Sequence, residues 1–206
     1  VFLIQSTNPP SENIFELLLL IDAAKRASAK AIIPVIPYLG YARQDRKDRP
    51  RVPISARLML DLISFGGIDR VISMDLHSPQ IQGFVQVPFD HLYSSIAILN
   101  RLKKLQLNID NGVVLAPDIG SAKISRSYAK MLGVGFALID KRRPKPNQAE
   151  VVNLVGELNK KHVLIVDDMI DTAGTICNAA KMKCALILEK QCHNTCPKCE
   201  RCNGAT

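Results

Sequence analysis

The stretch that most constrains this chain is Val163 to Thr175, read V-L-I-V-D-D-M-I-D-T-A-G-T. It opens as a short, continuous apolar run, the pattern of a strand covered on both faces of a parallel sheet. Two adjacent carboxylates, Asp167 and Asp168, follow at once. Then come Asp171, Thr172, Ala173, Gly174 and Thr175, small and hydroxyl-bearing, opening onto a helical pattern. Backbone N–H groups at a helix start favour an anion, and glycine lets the anion come close. The acidic pair cannot hold phosphate, but it suits sugar hydroxyls or a metal ion. The whole reads as a cradle for a phosphorylated sugar. The plainer reading is a buried strand running into a helix with acids at its start. Two neighbouring acids just past a buried strand, however, gain nothing from packing.

The same rhythm recurs upstream. Strands are expected at 1–5, 31–36, 70–74, 113–116, 136–139, 151–154 and 163–166. Helical spacing predicts helices at about 11–27, 53–65, 94–105 and 121–132, with a last one from about Thr172. Ser11 is placed to cap the first, Gly66-Gly67 to end the second and Gly133 to close the fourth. A Gln-Gly segment leads to an apolar stretch at Val85-Gln86-Val87, and Lys141 to Gln148 reads as a basic, proline-containing loop. Alternating strands and helices imply an α/β fold with mostly parallel sheets. The polar segments 75–80, 117–120, 140–148 and 167–175 all follow strand C-termini. Open α/β sheets bind ligands at that edge. Two such units are expected, with a join near Leu92 to Ser95.

Charge narrows the ligands. A net charge of +8 points to anionic partners, while 5% aromatic residues and no tryptophan leave few platforms for stacked bases. Small phosphorylated molecules are therefore expected, not nucleic acid. No apolar run is long enough to predict a membrane span. The opening V-F-L-I-Q lacks a methionine and a basic segment, so no secretory signal is expected and the chain reads as a fragment. All six cysteines lie at or after Cys177, a distribution that fits a reducing compartment.

Three more constellations carry chemistry. Tyr41-Ala42-Arg43-Gln44-Asp45-Arg46-Lys47-Asp48-Arg49 holds four basic residues just past a strand. Arg43 could grip phosphates and Gln44 could read the edge of a base, although composition alone also allows a solvated loop. Asp75-Leu76-His77 puts two potential ligands at a strand end, though a lone histidine is more often structural. Lys141-Arg142-Arg143 places three cations side by side, which repel unless an anion joins them.

Together these segments resemble the ribose-phosphate pyrophosphokinase family. Y-A-R-Q-D-R-K-D-R with R-V-P-I-S-A, M-D-L-H-x-x-Q-I-Q-G-F, A-P-D-I-G, I-D-K-R-R-P and D-D-M-I-D-T-A-G-T occur in the family's order across about residues 1–175. The last is similar to the phosphoribosyl-diphosphate loop of the type I phosphoribosyltransferase fold. The resemblance implies two phosphoribosyltransferase-like domains, each truncated. Residues 1–93 would bind ATP, residues 94–190 would bind ribose 5-phosphate, and residues 191–206 form a cysteine-rich tail foreign to the family.

It further implies transfer of the β,γ-diphosphoryl group of ATP to the 1-hydroxyl of ribose 5-phosphate, releasing AMP. Arg43, Gln44 and Asp48 would lie near the nucleotide. His77 and Asp118 would ligate Mg²⁺, with Asp75 and Asp90 as further acidic candidates. Lys141 and Arg143 would stabilise the phosphoryl groups in transit, Arg143 also meeting ribose 5-phosphate. Asp167 and Asp168 would hold the 2- and 3-hydroxyls, and Asp171, Thr172, Ala173, Gly174 and Thr175 the 5-phosphate. A cytoplasmic homo-oligomer, a hexamer built from dimers, is the family's usual state; an organelle stays open because the family's N-terminal segment is not in the chain.

Some features depart from the pattern. The strand and T-H-G-like segment expected after Thr175 are missing. Ile124 stands where bacterial members often have arginine, and Pro79 and His91 vary the regulatory region. Cys192, Cys196, Cys199 and Cys202 could bind Zn²⁺ through four thiolates, or belong to an unrelated tail. Two other readings remain. One is a non-catalytic regulatory relative, or an inactive fragment, that associates with active subunits. The other is a phosphoribosyltransferase or purine-type regulator sharing only the loop, which the Y-A-R-Q-D and D-L-H segments disfavour.

Overall fold

The structure is a computed structural model that describes residues 1–104, 111–142, 151–158, 162–167 and 176–181. Within them the chain forms two units, Val1–Arg101 and Leu102–Thr206. The sequence reading put the join at residues 93 and 94; the structural division falls inside a helix, Ser95–Lys104.

The first unit runs β1 (Phe2–Ile4), α1 (Glu12–Arg26), β2 (Ile33–Ile36), α2 (Ser55–Phe65), β3 (Val71–Met74), a 3₁₀ segment (Pro79–Phe84), β4 (Phe89–Leu92) and α3 (Ser95–Lys104). Its sheet has the order β1-β2-β3-β4, with all three pairings parallel. The core is built where the apolar periodicity placed it. Leu17 and Ile21 of α1 meet Leu60 and Ile63 of α2 over Ile36 and Val71 of the sheet. Each of these leucines is fully buried, so truncating one to alanine would cost about 2–5 kcal/mol.

The second unit runs β5 (Gly112–Ala116), α4 (Ala122–Leu132), β6 (Gly135–Arg142), β7 (Val151–Val155) and β8 (His162–Ile165), and residues 176–181 are helical. The sheet order is β7-β6-β5-β8. Central β5 is buried along its whole length and pairs in parallel with β6 and β8. Only β6 and β7 pair antiparallel among the described strands. Gly133 ends α4 with φ +69, the left-handed turn that a side chain would strain. No described helix is long and apolar enough to cross a membrane.

Three local expectations are corrected. Ser11 sits at the start of α1 but its hydroxyl makes no capping bond, because its own backbone is already helical. The Gln-Gly segment is followed by a strand absent from the expected set, Phe89–Leu92. Pro88 before it cannot donate to the ladder and joins only as the acceptor of Val71 N–H (3.0 Å). The basic loop also begins later than charge suggests. Lys141 and Arg142 still belong to β6, opposite Val152 and Val151 of β7.

Candidate active site

In the first unit, two motif segments leave the same edge of one parallel sheet. The basic segment follows β2 and the Asp-Leu-His segment follows β3, its neighbour. The basic segment is fixed at its base. Buried Thr7 donates through its hydroxyl to Tyr38 O (3.1 Å) and accepts from Gly40 N–H (2.8 Å). A Cβ on Gly40 would lie 2.0 Å from Thr7 O, so no larger residue fits there. Ala42 is buried, Ser55 Oγ donates to Tyr41 O (2.7 Å), and Ala56 N–H donates to Gln44 O (3.2 Å). Arg43, Gln44 and Asp48 stand exposed on this anchored base. Asp48 is 3.6 Å from Arg49 in an exposed ion pair, a contact worth little against water.

Backbone conformation marks the same places. The described non-glycine residues with positive φ are Ser28, Tyr41, Arg51 and Asp75. Tyr41 and Arg51 bracket the basic segment, and Asp75 begins the Asp-Leu-His turn. Left-handed backbone costs a side-chain-bearing residue about 1–2 kcal/mol, and such strain persists where the surroundings over-determine it.

At Asp75 those surroundings come from the β4 end. Asp75 N–H donates to Leu92 O (3.0 Å), and Asp75 Oδ1 accepts from Ser94 N–H (3.1 Å). Leu76 N–H donates to His91 Nε2 (3.0 Å), while the Leu76 side chain is buried in the core. His77 emerges exposed from this turn. Burial pushes the His91 imidazole below its ordinary pKa, against the pull of Asp75.

The acidic candidates of the first unit both have partners within the protein. Both carboxylate oxygens of Asp90 accept from Arg70 Nη1, at 2.9 and 2.8 Å. Asp90 pairs opposite Ile72, short of the strand end, and its partner precedes β3. Asp90 is therefore half of an ion pair with Arg70. Asp75 spends one oxygen on the backbone of Ser94, just past β4. Among the described residues, no group of three or more His, Cys, Asp or Glu side chains is arranged to hold a metal ion.

In the second unit the corresponding edge carries Asp118 after β5 and Asp167 after β8. Asp118 Oδ1 accepts from Ser121 N–H (2.9 Å) and Ser121 Oγ (3.2 Å), the hydrogen bonds that start α4. Its Oδ2 makes no hydrogen bond among the described residues, which leaves one hard oxygen donor at the strand end. Buried Ser125 of α4 donates to Val166 O (3.0 Å), and Val166 N–H reaches Leu115 O (3.4 Å). The chain is thus held from a helix and from the central strand immediately before Asp167, which is half-buried. Lys141 lies in β6, the other neighbour of β5.

Arg143, Asp168, Asp171, Thr172, Ala173, Gly174, Thr175 and the cysteines from Cys192 on lie outside the described residues. Sequence reasoning passed over the supports: Thr7, Ser55, Arg70, His91 as a hydrogen-bond acceptor, and Ser125. Ser125 had a signal. It falls on the face of α4 that also carries Tyr128 and Ala129, and a polar residue at a core position needs a partner.

The comparisons with known proteins follow the same division. Residues 1–67 match the model for the N-terminal domain of ribose phosphate pyrophosphokinase, and residues 91–190 match the phosphoribosyl transferase domain. A ribose-phosphate pyrophosphokinase from Chlorobaculum tepidum is 58% identical over 181 residues, covering 88% of this chain and 56% of that protein. One from Porphyromonas gingivalis is 54% identical over 182 residues, covering 88% and 58%. The crystal structure of phosphoribosylpyrophosphate synthetase from Mycobacterium smegmatis is similar with a TM-score of 0.80 and 40% identity, over 88% of this chain and 59% of that one. The chain spans a little over half the length of the relatives it matches.

Proposed function

Because the chain belongs to the ribose-phosphate pyrophosphokinase family, we propose that it forms 5-phosphoribosyl 1-diphosphate and AMP from ATP and ribose 5-phosphate, for nucleotide biosynthesis. The observation that carries this reading is the gathering of motif segments at the C-terminal edge of each parallel sheet, 41–51 with 75–77 in one unit and 118 with 167 in the other. That edge is where such folds take ligands.

In this reading the N-terminal domain, residues 1–93, binds the nucleotide. Arg43 and Gln44 meet its phosphates and base, and Asp48 lies beside them. The C-terminal domain, residues 94–190, binds the acceptor. Asp167 and Asp168 hold the ribose 2- and 3-hydroxyls, and Asp171 to Thr175, with Arg143, hold the 5-phosphate. The 1-hydroxyl oxygen attacks the β-phosphorus and loses its proton. The bond from that phosphorus to the α,β-bridging oxygen breaks, and AMP leaves with the oxygen. Lys141 and Arg143 offset charge on the groups in transit, so catalysis is positioning and electrostatics.

Mg²⁺, when bound, would neutralise triphosphate charge; the donors proposed for it are His77 in the first unit and, separately, the open oxygen of Asp118 in the second, each with substrate phosphates. The donor set fits a hard cation that keeps several non-protein ligands.

The polypeptide is further proposed to act in the cytoplasm as a homo-oligomer, a hexamer of dimers. Large exposed apolar side chains such as Phe15, Leu19 and Phe65 support self-association, which light scattering would test. Activity is tested by AMP formation from ATP with and without ribose 5-phosphate. Equal AMP and 5-phosphoribosyl 1-diphosphate, dependent on the sugar, is the expected result. Binding of both ligands without turnover would replace this reading with a non-catalytic relative or an inactive fragment.

A further inference from the structure

The β3–β4 ladder ends at Met74 opposite Leu92. Beyond it Asp75 turns left-handed, with φ +44, so Leu76 N–H has no strand partner to continue the ladder. The Leu76 side chain is 7% exposed, which keeps its backbone close to the core. A buried N–H left without an acceptor is costly. His91 supplies that acceptor from a side chain, at 3.0 Å. Its ring is placed by β4 opposite Ser73 and by a tilted contact with Tyr93, centroids 4.3 Å apart. Because Nε2 accepts, the ring proton sits on Nδ1, which is buried without a hydrogen-bond partner among the described residues. The fold thus leaves one donor unsatisfied while holding Leu76.

We propose that His91 is a positioning residue, whose Nε2 holds the Asp75-Leu76-His77 turn in the conformation that presents the His77 ring to the nucleotide and its cation. Three hydrogen bonds from the β4 end define this turn. One joins backbone to backbone, Asp75 N–H to Leu92 O, and one joins Ser94 N–H to the Asp75 carboxylate. The third depends on residue 91 alone, so this position tunes the site without touching the ligand. The inference rests on the assignment of His77 above, and its first readout does not.

The test compares His91→Phe, His91→Asn and the unaltered chain. His91→Phe keeps an aromatic ring against Tyr93 but has no acceptor; His91→Asn keeps an acceptor oxygen. Amide hydrogen exchange at Leu76 should speed up roughly five- to tenfold in His91→Phe, the loss of one ordinary hydrogen bond, and stay near the unaltered rate in His91→Asn. The KM for MgATP should rise by a similar factor in His91→Phe while kcat at saturation holds, with His91→Asn restoring it. Exchange at Leu76 unchanged in His91→Phe would overturn the proposal. So would faster exchange with an unchanged KM. If the unaltered chain forms no AMP, MgATP affinity by calorimetry takes the place of KM. The exchange contrast would then stand while the activity reading fell.

Discussion

Both units end parallel strands in an aspartate, yet the two edges spend that carboxylate differently. At the first edge Asp75 turns its side chain back on the chain, accepting Ser94 N–H. At the second, Asp118 uses one oxygen to start α4 and keeps the other. The first edge holds its turn by strained backbone and hydrogen bonds from β4. The second is held through Ser121 and Ser125, and one Asp118 oxygen makes no hydrogen bond among the described residues. An acid in a motif is a ligand only where something else does its structural work.

The largest effect should separate the edges by step. If the first binds nucleotide and the second performs transfer, Lys141→Ala should lower kcat about 10²–10³-fold, the usual loss for one group that stabilises transferring charge. ATP affinity, measured by calorimetry, should stay within about threefold. Equal losses in both would erase the division of labour.

The next compares two isosteric charge removals. Asp118→Asn should raise the Mg²⁺ concentration for half-maximal activity roughly tenfold, equivalent to about 1.4 kcal/mol. Asp75→Asn keeps both the acceptor for Ser94 and a residue tolerant of left-handed backbone, so its Mg²⁺ dependence should hold. A matching shift in Asp75→Asn would put both acids in the metal's shell.

A smaller effect should come from Ser125→Ala, which removes the hydroxyl on Val166 O. Stability in urea should fall by about 0.5–1.5 kcal/mol, and the KM for ribose 5-phosphate should rise with kcat held. A normal KM would show that the approach to Asp167 is held without Ser125.

The smallest is a pH effect confined to the first unit. Burial lowers the His91 pKa, so between that value and the ordinary imidazole range the unfolded chain binds more protons than the fold. Stability is therefore present above the ordinary range and is lost as pH falls through the depressed value. Thermal melts from pH 7 downward should show this slope, and His91→Asn should flatten it. An identical slope in that variant would assign the effect to other groups.

Much of this was legible in the amino-acid order. Continuous apolar runs announce strands, so β5 and β8 were readable from Val113–Ala116 and Val163–Val166. β5 is buried throughout, whereas β8 ends the described sheet and is half-buried to exposed, not covered on both faces. β4 was not readable, because F-D-H-L at the end of the described sheet carries polar residues at half its positions. The Arg70–Asp90 pair was not readable because its partners lie twenty residues apart, at a distance only the sheet closes. Lys141 looked like loop because a run of cations resembles solvated chain, while its strand pairing comes from Val152 across a hairpin. Ligand-facing residues declare themselves by chemistry. The residues that hold them do so through backbone partners, which no local pattern names.

The extension of β6 beyond β5 bears on that lysine. Pairing with β5 reaches Leu138, so among the described strands the stretch from Ile139 to Arg142 pairs with β7 alone. A two-stranded ribbon is marginal by itself, and opening it need not disturb the buried centre of the sheet. Lys141 therefore belongs to a smaller cooperative unit than Asp118 does. Its register can be lost and regained while the strand that carries Asp118 stays folded.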